Sequence, residues 1–257
     1  MAGREAWPKR KELAQKALAL DPDLADAHLS LGGALFALWD WQGGENEIKR
    51  ALELNPNLAL VYDQFAFIRD VFGQFDQAIA NEKKAVEIDP LSPLFNGTLG
   101  WWLTHARRYD EAIEQARKTL EVDPGFARAH ELLGWAAMRK GDSVGAIAEF
   151  QKGKALDPQP YWEGNFGHAY AVAGDRMKAE QILRGLDDLA KQRYVSPAIR
   201  VSIYQGLGDK GKTYEWLDRC YEERDPACWF LKVEPSFDNL RPEPRFQALL
   251  KKVGLDK

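Results

Sequence analysis

Lys84-Ala85-Val86-Glu87-Ile88-Asp89-Pro90 is an apolar-periodic segment stopped by a proline, and the same arrangement recurs on either side of it. An acid or amide followed by proline stands at Asp21-Pro22, Asn55-Pro56, Asp89-Pro90, Asp123-Pro124 and Asp157-Pro158, always 34 residues apart. Proline disfavours helical backbone in the residue before it, so each apolar-periodic stretch reads as a helix that must stop there. A second break falls midway through each interval, at Phe72-Gly73-Gln74-Phe75-Asp76, Arg107-Arg108-Tyr109-Asp110, Lys140-Gly141-Asp142, Ala173-Gly174-Asp175 and Leu207-Gly208-Asp209. Each interval is thus two antiparallel helices. A fixed period of this length marks an array whose units cannot bury their apolar faces alone and must stack on their neighbours. The predicted fold is an all-α solenoid of helix pairs, and its function is expected to lie in a surface.

Composition narrows that function. The 257 residues are 45% hydrophobic and include 9 Trp, 8 Tyr and 12 Phe, enough for a folded core and for contact surfaces. A net charge of -4 gives no broad basic field, so this segment is expected to bind neither nucleic acid nor an anionic membrane. No apolar run reaches the length of a membrane span, and Met1-Ala-Gly-Arg-Glu lacks the apolar core of a signal peptide. The chain reads as soluble and cytoplasmic; the alternative is the outer side of a membrane-anchored parent. Cys220 and Cys228 read as two small apolar residues rather than a disulfide. The histidines His28, His105, His130 and His168 lie far from them on different repeats, so neither metal nor cofactor is expected.

The small residues carry a resemblance. Leu31-Gly32, Leu99-Gly100, Leu133-Gly134 and Phe166-Gly167 on first helices, with Ala78, Ala112, Ala146 and Ala179 on second helices and the later large Phe150 and Leu183, resemble the tetratricopeptide repeat family. The resemblance covers about residues 8 to 225 and implies a right-handed superhelix. Departures are local: Ala66 stands for Gly in the third unit, Gly44 for Ala in the second, and Arg200-Val201 for Leu-Gly in the last. The domain reading is residues 1–22 as the second helix of a truncated repeat, starting near Pro8; 23–225 as six helix pairs; and 226–257 as a C-terminal cap. Half a repeat leaves an apolar face without its hairpin partner, which suggests a chain cut from something longer; the alternative is a solitary capping helix.

After Pro226 the frame is lost. Phe246, Leu249, Leu250 and Val253 form one apolar stripe, expected to cover the open face of the last pair. The string Pro235-Ser-Phe-Asp-Asn-Leu-Arg-Pro-Glu-Pro-Arg-Phe246 is similar to the C-terminal ends of large bacterial signalling proteins. In those, such repeats follow a winged-helix, serine/threonine kinase or nucleotide cyclase domain.

The remaining candidates for chemistry read as ordinary structure. Gly206-Leu-Gly-Asp-Lys-Gly-Lys-Thr213 has the spacing of a phosphate-binding loop, but it follows a helix and sits at an interhelical turn. No nucleophile–base order or metal motif stands out, so no enzyme is read. His28 and His130 share one repeat position and read as core or edge residues, and His105 reads as a helix-end residue.

What the family resemblance does imply is a concave wall lined by first helices. Its positions fall on Phe36; on Asp63, Phe67 and Asp70; on Trp101, Thr104 and His105; on Arg128, Glu131, Trp135, Met138 and Arg139; and on Tyr161, Asn165 and His168. Phe67, Trp101 and Trp135, each 34 residues from the next, are expected to stack as one aromatic stripe. The carboxylate clamp of the chaperone-tail version of the fold is missing, because the matching positions Leu29, Asp63, Gly97, Glu131, Gly164 and Ala198 include no lysine. The partner expected is a protein or peptide with apolar anchors, and the acidic Asp63, Asp70 and Glu131 favour basic residues near those anchors. The rival reading is a structural sensor or oligomerisation arm packed against its own missing effector domain.

Overall fold

Three of the five Asx-Pro pairs close their turn by a side-chain hydrogen bond. The side-chain oxygens of Asp21, Asn55 and Asp123 accept from the backbone N–H two residues on, at Asp23, Asn57 and Gly125 (3.1, 3.2 and 2.9 Å). This is why the residue before proline is an acid or amide: its side chain closes the turn while the proline ends the helix. A computed structural model describes residues 3–256. Among them the chain is all-α, without a strand: α1 (Gly3–Leu20), α2 (Ala25–Ala37), α3 (Trp41–Leu54), α4 (Ala59–Val71), α5 (Phe75–Ile88), α6 (Pro93–His105), α7 (Tyr109–Val122), α8 (Ala127–Arg139), α9 (Ser143–Leu156), α10 (Tyr161–Val172), α11 (Arg176–Ala190), α12 (Pro197–Gly206), α13 (Lys210–Glu223) and α14 (Pro244–Val253). Two short 3-10 turns, Pro226–Phe230 and Pro235–Phe237, lie before α14.

The mid-unit breaks are left-handed residues. Trp39, Gly73, Arg107, Gly141, Gly174 and Gly208 all have φ between 61° and 84°, so the frame repeats in backbone conformation even where glycine is missing. The next second helix is then capped by Asp40, Asp142, Asp175 or Asp209, each accepting from a backbone N–H three residues on. The small sites also behave as expected. Ala78, Ala112, Ala146 and Ala179 are fully buried, and a Cβ built on Gly134 would lie 2.2 Å from the Phe150 ring.

The chain forms two compact units, residues 1–107 with 226–257, and residues 108–225. The boundary falls at a left-handed turn inside what the 34-residue frame reads as one helix pair. In the first unit α1 packs on α2, α2 on α3, α4 on α5, and α5 on α6; in the second α7 packs on α8, α8 on α9, α10 on α11 and α12, and α12 on α13. Arg200 takes the missing Leu-Gly place in the last pair. It is buried, pairs with Asp187 at 2.7 Å and lies 4.5 Å over the Trp216 ring.

Two expectations are corrected. Helix α1 runs from Gly3 and carries Pro8 inside it rather than starting there; the proline removes the donor to the Arg4 carbonyl and crowds it with its ring, a cost confined to the helix's first turns. The tail belongs to the first unit rather than to the last pair. Its stripe of Phe246, Leu249, Leu250 and Val253 is buried as expected. However, the Trp41 indole Nε1 on α3 donates to the Val253 carbonyl at 2.8 Å, and the tail's aromatic rings seat on α1, α4 and α6.

Candidate functional site

In the first unit the wall is already occupied. Phe67 on α4 is met edge-on by Trp229 and Phe230 of the tail, with ring centroids 5.4 and 5.7 Å away. Phe230 also packs on Trp102 (6.3 Å) and His105 (5.4 Å), and Trp229 on Trp7 of α1 (5.8 Å). On α6 the ring that Phe67 meets is Trp102, at 6.3 Å. Its neighbour Trp101 is half-buried, 6.5 Å from His105, with an indole Nε1 that finds no acceptor. Phe36 is a correction: it is 2% exposed and sits in the core of α2–α4. Gly44 stands where other units carry alanine, and a Cβ there would lie 3.0 Å from the Phe36 ring, which fills that space.

Beneath the rings lies a buried polar cluster. His105 Nδ1 is 2.6 Å from Asp70 Oδ2, and its Nε2 is 3.7 Å from Glu234 Oε2 of the tail. Burial works against a charge on the imidazole, but the Asp70 carboxylate, with Glu234, outweighs it and raises His105 to about 10. The pair holds the imidazolium at neutral pH, with burial pushing the Asp70 carboxyl above its ordinary range against the pull of that charge, and with Glu234 on the ring's other side. Glu82 on α5 has the opposite fate. It is fully buried, accepts one bond from Trp102 Nε1 at 3.0 Å, and its other oxygen has no partner. Burial, then the charge of Asp63, pushes it up to about 9, so it is a neutral acid at pH 7. Asp63 itself accepts from Gln64 at 3.2 Å.

In the second unit, α8 and α10 bring the remaining predicted residues together. Trp135 is half-buried, resting on Phe150 (5.7 Å) and His168 (5.0 Å), with the Arg139 guanidinium 5.9 Å from its ring. His168 is fixed by the Ser202 carbonyl at 2.8 Å, and Glu131 accepts from Asn165 at 3.0 Å. Tyr161 is half-buried beside Glu131 and Arg128, and its phenol is held above its ordinary range by burial and then by the Glu131 charge. Arg128 is exposed. Asp70 and Glu131, two of the three carboxylates that suggested a basic partner, thus have partners inside their own units.

The other expected features fall in ordinary places. Gly206–Thr213 spans the turn between α12 and α13, where Asp209 caps the helix and Lys212 pairs with Glu215 at 2.8 Å. His28 and His130 each bind a glutamate 19 residues on, Glu47 at 2.6 Å and Glu149 at 2.8 Å. Cys220 and Cys228 are buried free thiols. Among the described residues no group of three or more His, Cys, Asp or Glu could hold a metal, and no helix is long and apolar enough to cross a membrane.

Sequence reasoning missed Trp102, Glu82, Trp229, Phe230 and Glu234. Asp70 and His105 could have been paired from spacing, since they are 35 residues apart, one repeat plus one. No periodic signal places the tail.

Comparison with known proteins agrees with this architecture. Residues 99–159 match the tetratricopeptide repeat family. No curated protein matches the chain in sequence. Among solved structures the chain is similar to one in the APC/C hetero-tetramer Cut9–Hcn1, with a TM-score of 0.67 and 19% identity. That likeness covers 96% of this chain but only 46% of the other, so the chain spans less than half of that relative's length. It is also similar to PilW, a widely conserved type IV pilus biogenesis factor (TM-score 0.59, 19% identity, 88% of this chain and 98% of that one). A third likeness is to PilF of Pseudomonas aeruginosa (TM-score 0.54, 18% identity, 77% and 90%). At these identities the likeness establishes the fold. Together with the family match it supports a solenoid of tetratricopeptide type. The family match stops at residue 159, short of the tail.

Proposed function

We propose that the chain is a non-catalytic protein-interaction module, part of a larger bacterial signalling or regulatory protein, which takes a partner's peptide or domain on the wall of its second unit. One observation carries this reading: Trp135 is partly exposed yet held from beneath by Phe150 and His168, with Arg139 against its ring. A rigid, partly exposed Trp beside an Arg is the residue pair most enriched at binding hot spots, because the ring offers large contact area at little entropic cost. Tyr161 and Arg128 extend the same face. The partner supplies an apolar anchor for the Trp135 ring and acceptors for Arg128 and Arg139, while Glu131, already bonded to Asn165, contributes less to a preference for basic partners than its charge suggests.

The signalling context rests on the likeness of the tail to the ends of large bacterial regulators. The interaction role rests on the wall itself and is tested by truncating it. Trp135→Ala and Arg139→Ala should each weaken capture of the native partner, Trp135→Ala by roughly 2 kcal/mol or more, while the second unit keeps a cooperative melt. Early unfolding of Trp135→Ala, with unaltered partner capture by Arg139→Ala, would show that the ring is core packing.

A further inference from the structure

We propose that residues 226–241 are a tethered occupant of a peptide-binding wall on the first unit, and that this wall accepts in their place a partner peptide with two adjacent aromatic residues followed four residues later by a carboxylate. This wall is separate from the one assigned above, so the inference stands whether or not that reading does.

The segment sits as a ligand would. Its backbone amides are satisfied within itself: Val233 and Glu234 donate to the Phe230 carbonyl, Phe237 to Glu234, Asp238 to Pro235, and Leu240 and Arg241 to Phe237. Its hold on the unit comes from side chains, with Cys228, Leu231, Val233, Phe237 and Leu240 buried. Trp229 and Phe230 fill the space between Phe67, Trp102 and His105, and both are half-buried there. Farther along, Glu234 faces the His105 ring, and Asp238 pairs with Arg107 at 2.7 Å. The 3.7 Å contact of Glu234 is loose and its side chain is 26% exposed, so the carboxylate can return to water without being stranded. When this segment leaves, α14 keeps the Trp41 bond to Val253 and gives up the contact of Phe246 with Phe237, whose ring centroids are 5.4 Å apart.

The wall also states what it selects. Phe67 and Trp102 present ring faces and edges to the two aromatics, the arrangement in which aromatic pairs attract beyond their buried area. The imidazolium of His105, already paired with Asp70, has its second N–H free to meet one carboxylate and would repel a cation there. A tether holds its own segment at an effective concentration in the millimolar range. A peptide in trans therefore competes poorly unless the internal copy is weakened.

The experiment uses the full chain and a fluorescent peptide with the sequence of residues 226–241. A full-length variant with Trp229→Ala and Phe230→Ala should bind this peptide at least tenfold more tightly than the unaltered chain does. The peptide's own Glu234→Gln form should bind that variant several-fold more weakly, and Trp135→Ala added to the variant should change nothing. A folded variant whose affinity equals that of the unaltered chain overturns the proposal. Hydrogen exchange on the unaltered chain decides the matter even if the variant unfolds. The amides of Val233, Glu234, Phe237, Leu240 and Arg241 should exchange faster than those in the middle of α4 and α6. If they exchange only as slowly as those helices, the segment opens only when the unit unfolds, and it is core rather than occupant.

Discussion

Replacing Glu82 by glutamine should make the first unit more stable at neutral pH, although it alters a buried residue that accepts a hydrogen bond. Glu82 is fully buried, one oxygen accepts from Trp102 Nε1, and the other has no partner. Its pKa is raised from 4.5 to about 9, so between those values the folded chain holds a proton that the unfolded chain releases. The sign follows directly: the stability this group contributes is full below pH 4.5 and is lost as pH rises toward 9. The loss is about 1.4 kcal/mol per pH unit, hence roughly 3 kcal/mol by pH 7. Glutamine has no proton to release and its oxygen can keep the Trp102 bond. Its amide N–H₂ takes the place of the unpartnered oxygen, which returns roughly 1 kcal/mol of that gain. The net expectation at pH 7 is about 2 kcal/mol, or roughly 4–8 °C in Tm for a chain of this size. Thermal and urea unfolding of both proteins at pH 5, 7 and 9 measures it. The advantage of Glu82→Gln should grow with pH and nearly vanish at pH 5. Asp63→Asn, which removes the charge that helps raise Glu82, should shrink it. An advantage that does not change with pH, or a variant less stable at pH 9, refutes the reasoning.

Three further outcomes follow from local geometry. Gly153→Ala should destabilise by about 1–3 kcal/mol, because its Cβ would lie 2.1 Å from the fully buried Trp162 ring; Gly185→Ala on α11, where nothing lies within 4 Å, should stabilise by about 0.5–1 kcal/mol, and urea unfolding of the pair compares them. The ring protons of His105 should show no titration between pH 5 and 8 by NMR, since Asp70 keeps the ring charged, and its contribution to stability should be lost only as pH climbs from 6.5 toward 10. Titration with ATP and magnesium should give no binding heat, because Gly206–Thr213 is a helix-capping turn whose lysine is paired with Glu215; heat abolished by Lys212→Ala would reverse that conclusion.

The helices were legible because their ends are written in local chemistry. Asx-Pro turns and left-handed residues act within a few positions of themselves, so a 34-residue frame locates them without knowledge of the rest of the chain. Even Trp39 and Arg107, which offer no glycine signal, fall into that frame through its regularity. Contacts between neighbouring units were partly legible for the same reason, as with Asp70 and His105. The seat of the tail was not. Phe67 and Trp229 are 162 residues apart, and nothing periodic connects a segment without repeats to one helix face rather than another. Phe36 was misplaced for a subtler reason: its position in the frame faces the groove in the family, but glycine at position 44 opened a space in the core that the ring took.

On the reading proposed for the first unit, that distant contact reverses the charge preference of its wall. By composition, Asp63 and Asp70 make its wall look acidic and suited to a cationic partner. Burial changes which groups keep their charge: Glu82 gives up its own, while Asp70 is used to hold a proton on His105. The cations facing the tail are then the imidazole Nε2, met by Glu234, and the Arg107 guanidinium, met by Asp238. Glu234→Lys would set two cations against each other across 3.7 Å, in a pocket where water screens them poorly. It should loosen the segment far more than the neutral Glu234→Gln does, read as faster amide exchange at residues 233–241 and a larger fall in Tm. Equal effects of the two substitutions would mean that Glu234 serves only to cap the turn at Ser236, whose N–H it accepts at 2.9 Å, and that the wall reads no charge.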